Sequence, residues 1–203
     1  MKAGFRFIRD NGQITMRIIY FLPALFASLP LASYAESYTI DAEHSVVRFS
    51  VSHFLFLTTH GSFSKTSGKI TLNRADGNGS VDIVIAADSI NTDHAKRDEN
   101  LRSENFFSTT KYPLMTYQSS AIQFINDTPA IVEGNLTLLG VNKPVMLTIS
   151  SFKCGTDSAD KQERCNATAR TQIKRSDFGM TYALPLIGDV INLTFEVAAF
   201  RVQ

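Results

Sequence analysis

HSVVRFSVSHF, residues 44–54, decides the fold class of this chain. Val47, Phe49 and Val51 alternate with Arg48, Ser50 and Ser52, and a repeat of two places the three apolar side chains on one face of an extended strand. Working outward from that stretch, the same period recurs. Val81, Ile83, Ile85 and Ala87 share a face in SVDIVIAADS, and Ile191, Leu193, Phe195, Val197 and Ala199 share one near the C-terminus. GSFSKTSGKITLNR, PLMTYQSSAIQFI, AIVEGNLTLLG, KPVMLTISSFK and ATARTQIKR are strand-like in composition. Turn signals separate them at ADGNGS (75–80), NDTP (126–129) and GVNKP (140–144). The pattern predicts about eight strands. Strands with one apolar face close into a barrel or pack as a sandwich. Several runs exceed about ten residues from turn to turn, which favours strands that tilt round a barrel.

The N-terminal segment reads as a targeting leader. Arg17 precedes the uncharged run IIYFLPALFASLPLASYA (18–35), and Ser33 and Ala35 supply the small residues that signal peptidase needs. Pro23 and Pro30 interrupt the run, which is shorter than the roughly 20 apolar residues of a spanning helix. The expectation is a signal peptide over residues 1–35, with Met16 as an alternative start, and one domain over residues 36–203. Export would be to the periplasm. Removing the leader takes away four basic residues and one acidic residue, leaving a net charge near −2. That balance has no electrostatic footprint for nucleic acid.

Cys154 and Cys165 bracket the polar loop CGTDSADKQERC. Disulfides persist in exported proteins, and the spacing matches neither C-x-x-C nor a zinc pattern, so a disulfide across a strand-to-strand connection is expected. His44, His53, His60 and His94 form no H-x-H or H-E-x-x-H motif, and no serine lies in G-x-S-x-G. His44 is read as bonding beside Asp41. Asp98 beside Arg97, and Asp177 beside Arg175, are read as structural ion pairs at a rim. No metal, no cofactor and no catalytic residue are expected.

One segment departs from the alternation. Between Arg97 and Glu104, five of eight residues are charged, and Phe106, Phe107 and Pro113 follow. Lys96 to Glu104 lacks glycine, proline and β-branched residues and reads as a helix, with Asn91, Thr92 or Asp93 as its cap. Asp98 and Arg102 stand four apart in the order that favours an exposed pair. Such a helix closes one end of a barrel, turning Leu101, Phe106 and Phe107 inward.

These residues carry a resemblance. DAEHSVVRFSVSH (41–53), GSFSKTSGKI (61–70), SINTDHAKRDENLRSENFFSTTKYP (89–113), GNLTLLGVNKPV (134–145) and KRSDFGM (174–180) resemble the signature of the YceI family of exported lipocalin-like proteins. The pieces stand in the family's order, and the likeness covers nearly all of residues 38–201. It departs at Asn100, where the family commonly has histidine, and in the cysteine pair. The resemblance implies an antiparallel β-barrel with an elongated apolar cavity for polyisoprenoids, quinone-like tails or related long-chain amphiphiles, without catalysis.

The expected fold is therefore all-β, an eight-stranded antiparallel lipocalin-like β-barrel with one short helix capping an end. Val47, Phe49, Val51, Ile83, Ile85, Leu101, Phe106, Phe107, Phe195 and Val197 are expected to line the cavity, with Phe178 at its mouth. Arg97, Arg102 and Lys143 are the expected head-group residues, through charge-assisted hydrogen bonds. The expected partner is a long-chain isoprenoid or acyl amphiphile, held by a periplasmic carrier that contacts the membrane or membrane redox proteins transiently. The competing expectation is a stress-response or adhesion factor acting through its surface, its barrel filled by side chains.

Overall fold

The structure of the protein, a computed structural model, describes residues 35–54, 56–158 and 161–202. Apart from Ala35, the expected leader lies outside the described residues. Eleven strands form one antiparallel sheet: β1 (Glu36–Ile40), β2 (Val46–His53), β3 (Leu57–Phe63), β4 (Thr66–Asn73), β5 (Asn78–Ala86), β6 (Ile90–Asn91), β7 (Leu114–Ile125), β8 (Thr128–Leu138), β9 (Val141–Thr156), β10 (Glu163–Lys174) and β11 (Ile187–Arg201). Helix α1 (Ala95–Arg102) follows β6.

The sheet closes on itself. β1 pairs with both β4 and β11, completing a ring of β1, β4, β5, β7, β8, β9, β10 and β11. β2, β3 and β6 continue the lines of β1, β4 and β5 along the same barrel: β2 runs on beside β11, β3 pairs with β2, and β6 with β3. Eight strand lines thus stand where the pattern predicts eight strands, and three of them are broken. The breaks lie at residues 41–45, at Ser64–Lys65 and at the 3-10 turn Ala87–Ser89. A strongly coiled strand bends where its ladder is interrupted, so these breaks let one side of the barrel turn over its end.

Call the end that holds α1 the upper end. It also carries the β2–β3 hairpin and the long connection from β10 to β11. The lower end is closed by charge and covalency. Glu36 and Glu163 share Arg201 at 3.2 and 2.9 Å, Arg74 lies 3.4 Å from Glu36, and the Tyr38 hydroxyl donates to both carboxylates. Burial and the Glu36 carboxylate push the Tyr38 phenol up to about 12. Cys154 and Cys165 oppose each other in the β9–β10 register and form the expected disulfide. His44 meets Asp41 at 2.7 Å, where β1 turns into β2.

The charged segment is helical, and its interactions differ from the sequence expectation. The cap is His94, whose ring accepts the Arg97 N–H at 3.3 Å. Asp98 is buried and forms no exposed pair with Arg102: it accepts the backbone N–H of Thr92 at 2.9 Å and the Thr92 hydroxyl. Arg97 donates to the same threonine, at its hydroxyl and its carbonyl, both 2.7 Å. Thr92 therefore mediates between Asp98 and Arg97. The acid accepts both donors of Thr92, and burying a carboxylate is tolerated only with such partners.

Candidate ligand cavity

The barrel's interior divides in two. Its lower half is solid, with Tyr38, Leu72, Val81, Ile122, Val132 and Ala199 all buried. Tyr117 crosses the boundary. Its ring lies 6.2 Å from that of Phe195, and its hydroxyl donates to the Val132 carbonyl at 3.1 Å and the Val145 carbonyl at 2.9 Å. Gly134 makes room for it, since a Cβ there would meet the Tyr117 ring. Desolvation pushes the Tyr117 phenol well above its ordinary value.

Above Tyr117 lies a cavity of about 80 Å³. β2 contributes Val47, Phe49 and Val51, and β11 contributes Ile187, Ile191, Leu193 and Phe195. Phe63, Ile85, Met115, Leu136, Leu138 and Ile173 complete the strand wall, and Met180 enters from the β10–β11 connection. The roof is Leu101, Phe106 and Phe107. Phe107 meets Phe63 edge-on, Phe106 meets Tyr182 edge-on, and Phe49 lies over Gly61, where any Cβ would strike its ring.

Of the 18 lining residues only Arg175 is polar. Its guanidinium is directed into backbone: it donates to the carbonyls of Gly188, Met180, Tyr182 and Ile187, each at 2.9 Å. Arg175 thereby ties the 3-10 turn Arg175–Phe178 to the loop that returns into β11. Burial pulls its guanidinium down from the ordinary value, and the nearby Asp189 pulls it back up. Asp189 in turn accepts the Ser176 N–H at 2.9 Å and the Ser176 hydroxyl at 2.8 Å, and these bonds hold its carboxyl below the usual range. Asp177, the expected partner of Arg175, is exposed instead. The cavity thus presents no free donor, acceptor or nucleophile from its wall. Among the described residues the trio Cys154, Glu163 and Cys165 is near enough to hold a metal, but its sulfurs are bonded to each other.

Outside the barrel, β9 and β10 part company above the Thr148–Arg170 pair. A groove of about 520 Å³ opens there, lined by Lys143, Pro144, Met146, Ile173, Lys174, Val190 and others. Ile173 borders both the groove and the inner cavity.

A family model described as the YceI-like domain matches residues 38–199. The chain belongs to the YceI-like family. A relative called UPF0312 protein, from Yersinia pestis (strain Pestoides F), is 31% identical over 172 residues, spanning 83% of this chain and 88% of the relative. Burkholderia cenocepacia BcnA superposes with a TM-score of 0.64 at 21% identity, covering 78% of this chain and 98% of that one. A polyisoprenoid binding domain from Saccharophagus degradans, implicated in plant cell wall breakdown, superposes at 0.59 with 19% identity, covering 81% and 98%.

This YceI-like barrel gathers part of the sequence-derived residue set. Val47, Phe49, Val51, Ile85, Leu101, Phe106, Phe107 and Phe195 border the cavity. Ile83 and Val197 point inward at other levels, Ile83 paired with Tyr117 and Val197 with Ala167. Phe178 is buried beneath the outer groove, which also holds Lys143. Arg102 donates to the carbonyls of Asp88 and Ile90, and Arg97 to Thr92, so both guanidiniums are bound to the connection below α1. Sequence reasoning passed over Phe63, Met115, Leu136, Leu138, Met180 and the upper residues of β11. Alternation in GNLTLLG and INLTF marks Leu136, Leu138, Ile191 and Leu193 as inward, but inwardness does not give depth.

Proposed function

We propose that this protein binds the hydrophobic tail of a long-chain amphiphile, an isoprenoid or a related acyl chain, in the upper half of its barrel, and that it acts by binding rather than by catalysis. The observation that carries this reading is the cavity wall: seventeen of its eighteen residues are apolar, and the exception is bonded to backbone. Apolar surface that a tail removes from water contributes about 25 cal/mol per Å², so the wall needs no polar contact to bind. The likeness to a polyisoprenoid binding domain supports the same ligand class. A leader cleaved before Glu36 would deliver the barrel to the periplasm, where such amphiphiles travel between membranes.

Volume sets a condition on binding. A cavity of about 80 Å³ is smaller than the ~150 Å³ that accommodates benzene. A tail therefore has to displace part of the wall, and Leu101, Phe106, Phe107 and Met180 are carried by the helix and the connections rather than by the strand ladder. Met115 and Met180 add unbranched chains that repack readily. For the head group, Lys143 stands on the outer groove that shares Ile173 with the cavity. Arg97 and Arg102 could serve only by giving up their present carbonyl partners.

The same volume favours a second reading, in which the barrel stays filled and the protein acts through its surface in a stress response or in adhesion. Native mass spectrometry of protein released from the periplasm without detergent separates the two. A discrete adduct whose mass recurs in the solvent extract supports the carrier. An apo mass that persists after incubation with polyprenyl lipids and quinones supports the filled barrel.

A further inference from the structure

We propose that Phe54, Phe56 and Leu57 in the β2–β3 hairpin, together with the uncharged loop 181–186, form a tip at the upper end of the barrel that docks into the acyl layer of a lipid bilayer. No Asp, Glu, Lys or Arg lies between Arg48 and Lys65, nor between Asp177 and Asp189. His53 and Leu57 are a register pair, so the hairpin loop between them reads Phe-Leu-Phe where turns take glycine, asparagine or aspartate. Phe54 adopts φ of 50°, a left-handed conformation that a bulky side chain rarely takes. Phe56 is 84% exposed. Phe54 leans on the His53 ring at 4.2 Å, but turn propensity does not account for either phenylalanine and Phe56 stands in solvent, and strain held at such a place points to function.

The second loop has the same character and is joined to the first. The Phe54 N–H donates to the Leu186 carbonyl at 2.8 Å, and Tyr182, Leu186 and Leu57 are each more than half exposed. The two loops therefore present their apolar groups side by side. They also adjoin the cavity: Ile187 and Val51 belong to its wall, and Tyr182 packs edge-on against the roof residue Phe106 at 5.3 Å.

Area and charge identify the occupant. The five exposed side chains, between 46% and 84% accessible, offer roughly 500–600 Å² at the size of aromatic and leucine side chains. A stable dimer needs about 800 Å² per partner, more than the tip supplies against a second copy. A patch of this size stands near the top of the range that a soluble protein exposes, and such patches are often functional. A surface without ionised groups matches the hydrocarbon layer: tyrosine is favoured at its boundary with water, and phenylalanine and leucine bury into it.

The chain contains no tryptophan, so an introduced indole reports alone. In the full exported chain, Phe56→Trp is expected to shift its emission to the blue on addition of phosphatidylcholine vesicles, and to be quenched when the acyl chains are brominated. Ile125→Trp, equally apolar and 63% exposed at the lower end, where it closes β7, is expected to do neither. Replacing Phe56 and Leu186 together by serine is expected to lower the vesicle-bound fraction in flotation at least about ten-fold, with thermal unfolding unchanged. An unshifted indole at 56, or equal shifts at 56 and 125, would overturn the proposal. So would a blue shift that follows protein concentration without vesicles, which would assign the tip to a second copy. Empty vesicles suffice for the measurement, so docking and tail binding can fail separately.

Discussion

Phe107 lies edge-on to Phe63, with ring centroids 5.3 Å apart and planes at 79°. Phe63 ends β3, and Phe107 follows α1, so this contact fastens the roof of the cavity to a strand that is itself broken just beyond it. It is also the contact that a bound tail would have to replace.

Truncating the roof therefore separates stability from binding. Phe107→Ala is expected to lower the unfolding free energy by about 2–4 kcal/mol, somewhat below the ~3–5 kcal/mol for a fully buried aromatic ring because Phe107 is only partly buried. It is also expected to raise the amount of a fluorescent long-chain probe taken up by the folded protein. Urea titration and probe fluorescence check the two effects. A destabilised variant that takes up no more probe would mean that the roof does not limit the space.

Arg175 offers a sharper test of the upper end. Arg175→Met leaves four carbonyls without their donor, that of Met180 buried and the others part-buried, at an expected cost of about 3 kcal/mol. Arg175→Lys is expected to recover little, because an ammonium cannot reproduce the planar fork that reaches four acceptors. The unfolding free energies of the two variants, from urea titration, would agree within about 1 kcal/mol on this account.

Acid stability should be sensitive to Asp189. The Ser176 N–H and hydroxyl hold its folded carboxyl below the ordinary range. A carboxylate of this kind adds stability above its unfolded value of about 3.9, and that stability is lost as pH falls through the lower folded value. The urea midpoint of the native chain is expected to drop on going from pH 5 towards pH 3. Asp189→Asn should be less stable at pH 7 and show a shallower drop over the same interval.

At the lower end, replacing Cys154 and Cys165 by serine opens a short loop between paired strands. The loss expected from chain entropy is about 2–3 kcal/mol. Because the disulfide sits across the solid half from the cavity, tail binding at 25 °C should be unaffected. Reduced binding in a variant shown to be folded would argue that the lower half also takes up ligand.

Much of the fold was legible in residues that each do one thing. Val47, Phe49 and Val51 must lie on one face of any strand they form, and Cys154 and Cys165 bracket a loop too polar to bury free thiols. The helix was legible because Lys96 to Glu104 contains nothing that resists one. Its partners were not. Asp98 reads as half of a surface pair with Arg102, yet it is buried on Thr92, because α1 packs down on the connection leaving β6. Arg175 stands beside Asp177 in the chain, yet answers to carbonyls at 180, 182, 187 and 188, which only the return of the loop brings round it.

The sequence by itself determined the alternation, the strand count, the helix, the disulfide and the family, since periodicity, propensity and motif order are properties of neighbours along a chain. Tertiary structure alone decided which inward side chains meet empty space. Ile83 and Ile85 share a strand face, but register sets Ile83 beside Tyr117, which fills the barrel, and Ile85 beside Met115 at the cavity wall. Depth along a barrel follows from the stagger of its strands, and stagger is fixed by closure of the whole ring rather than by any one strand.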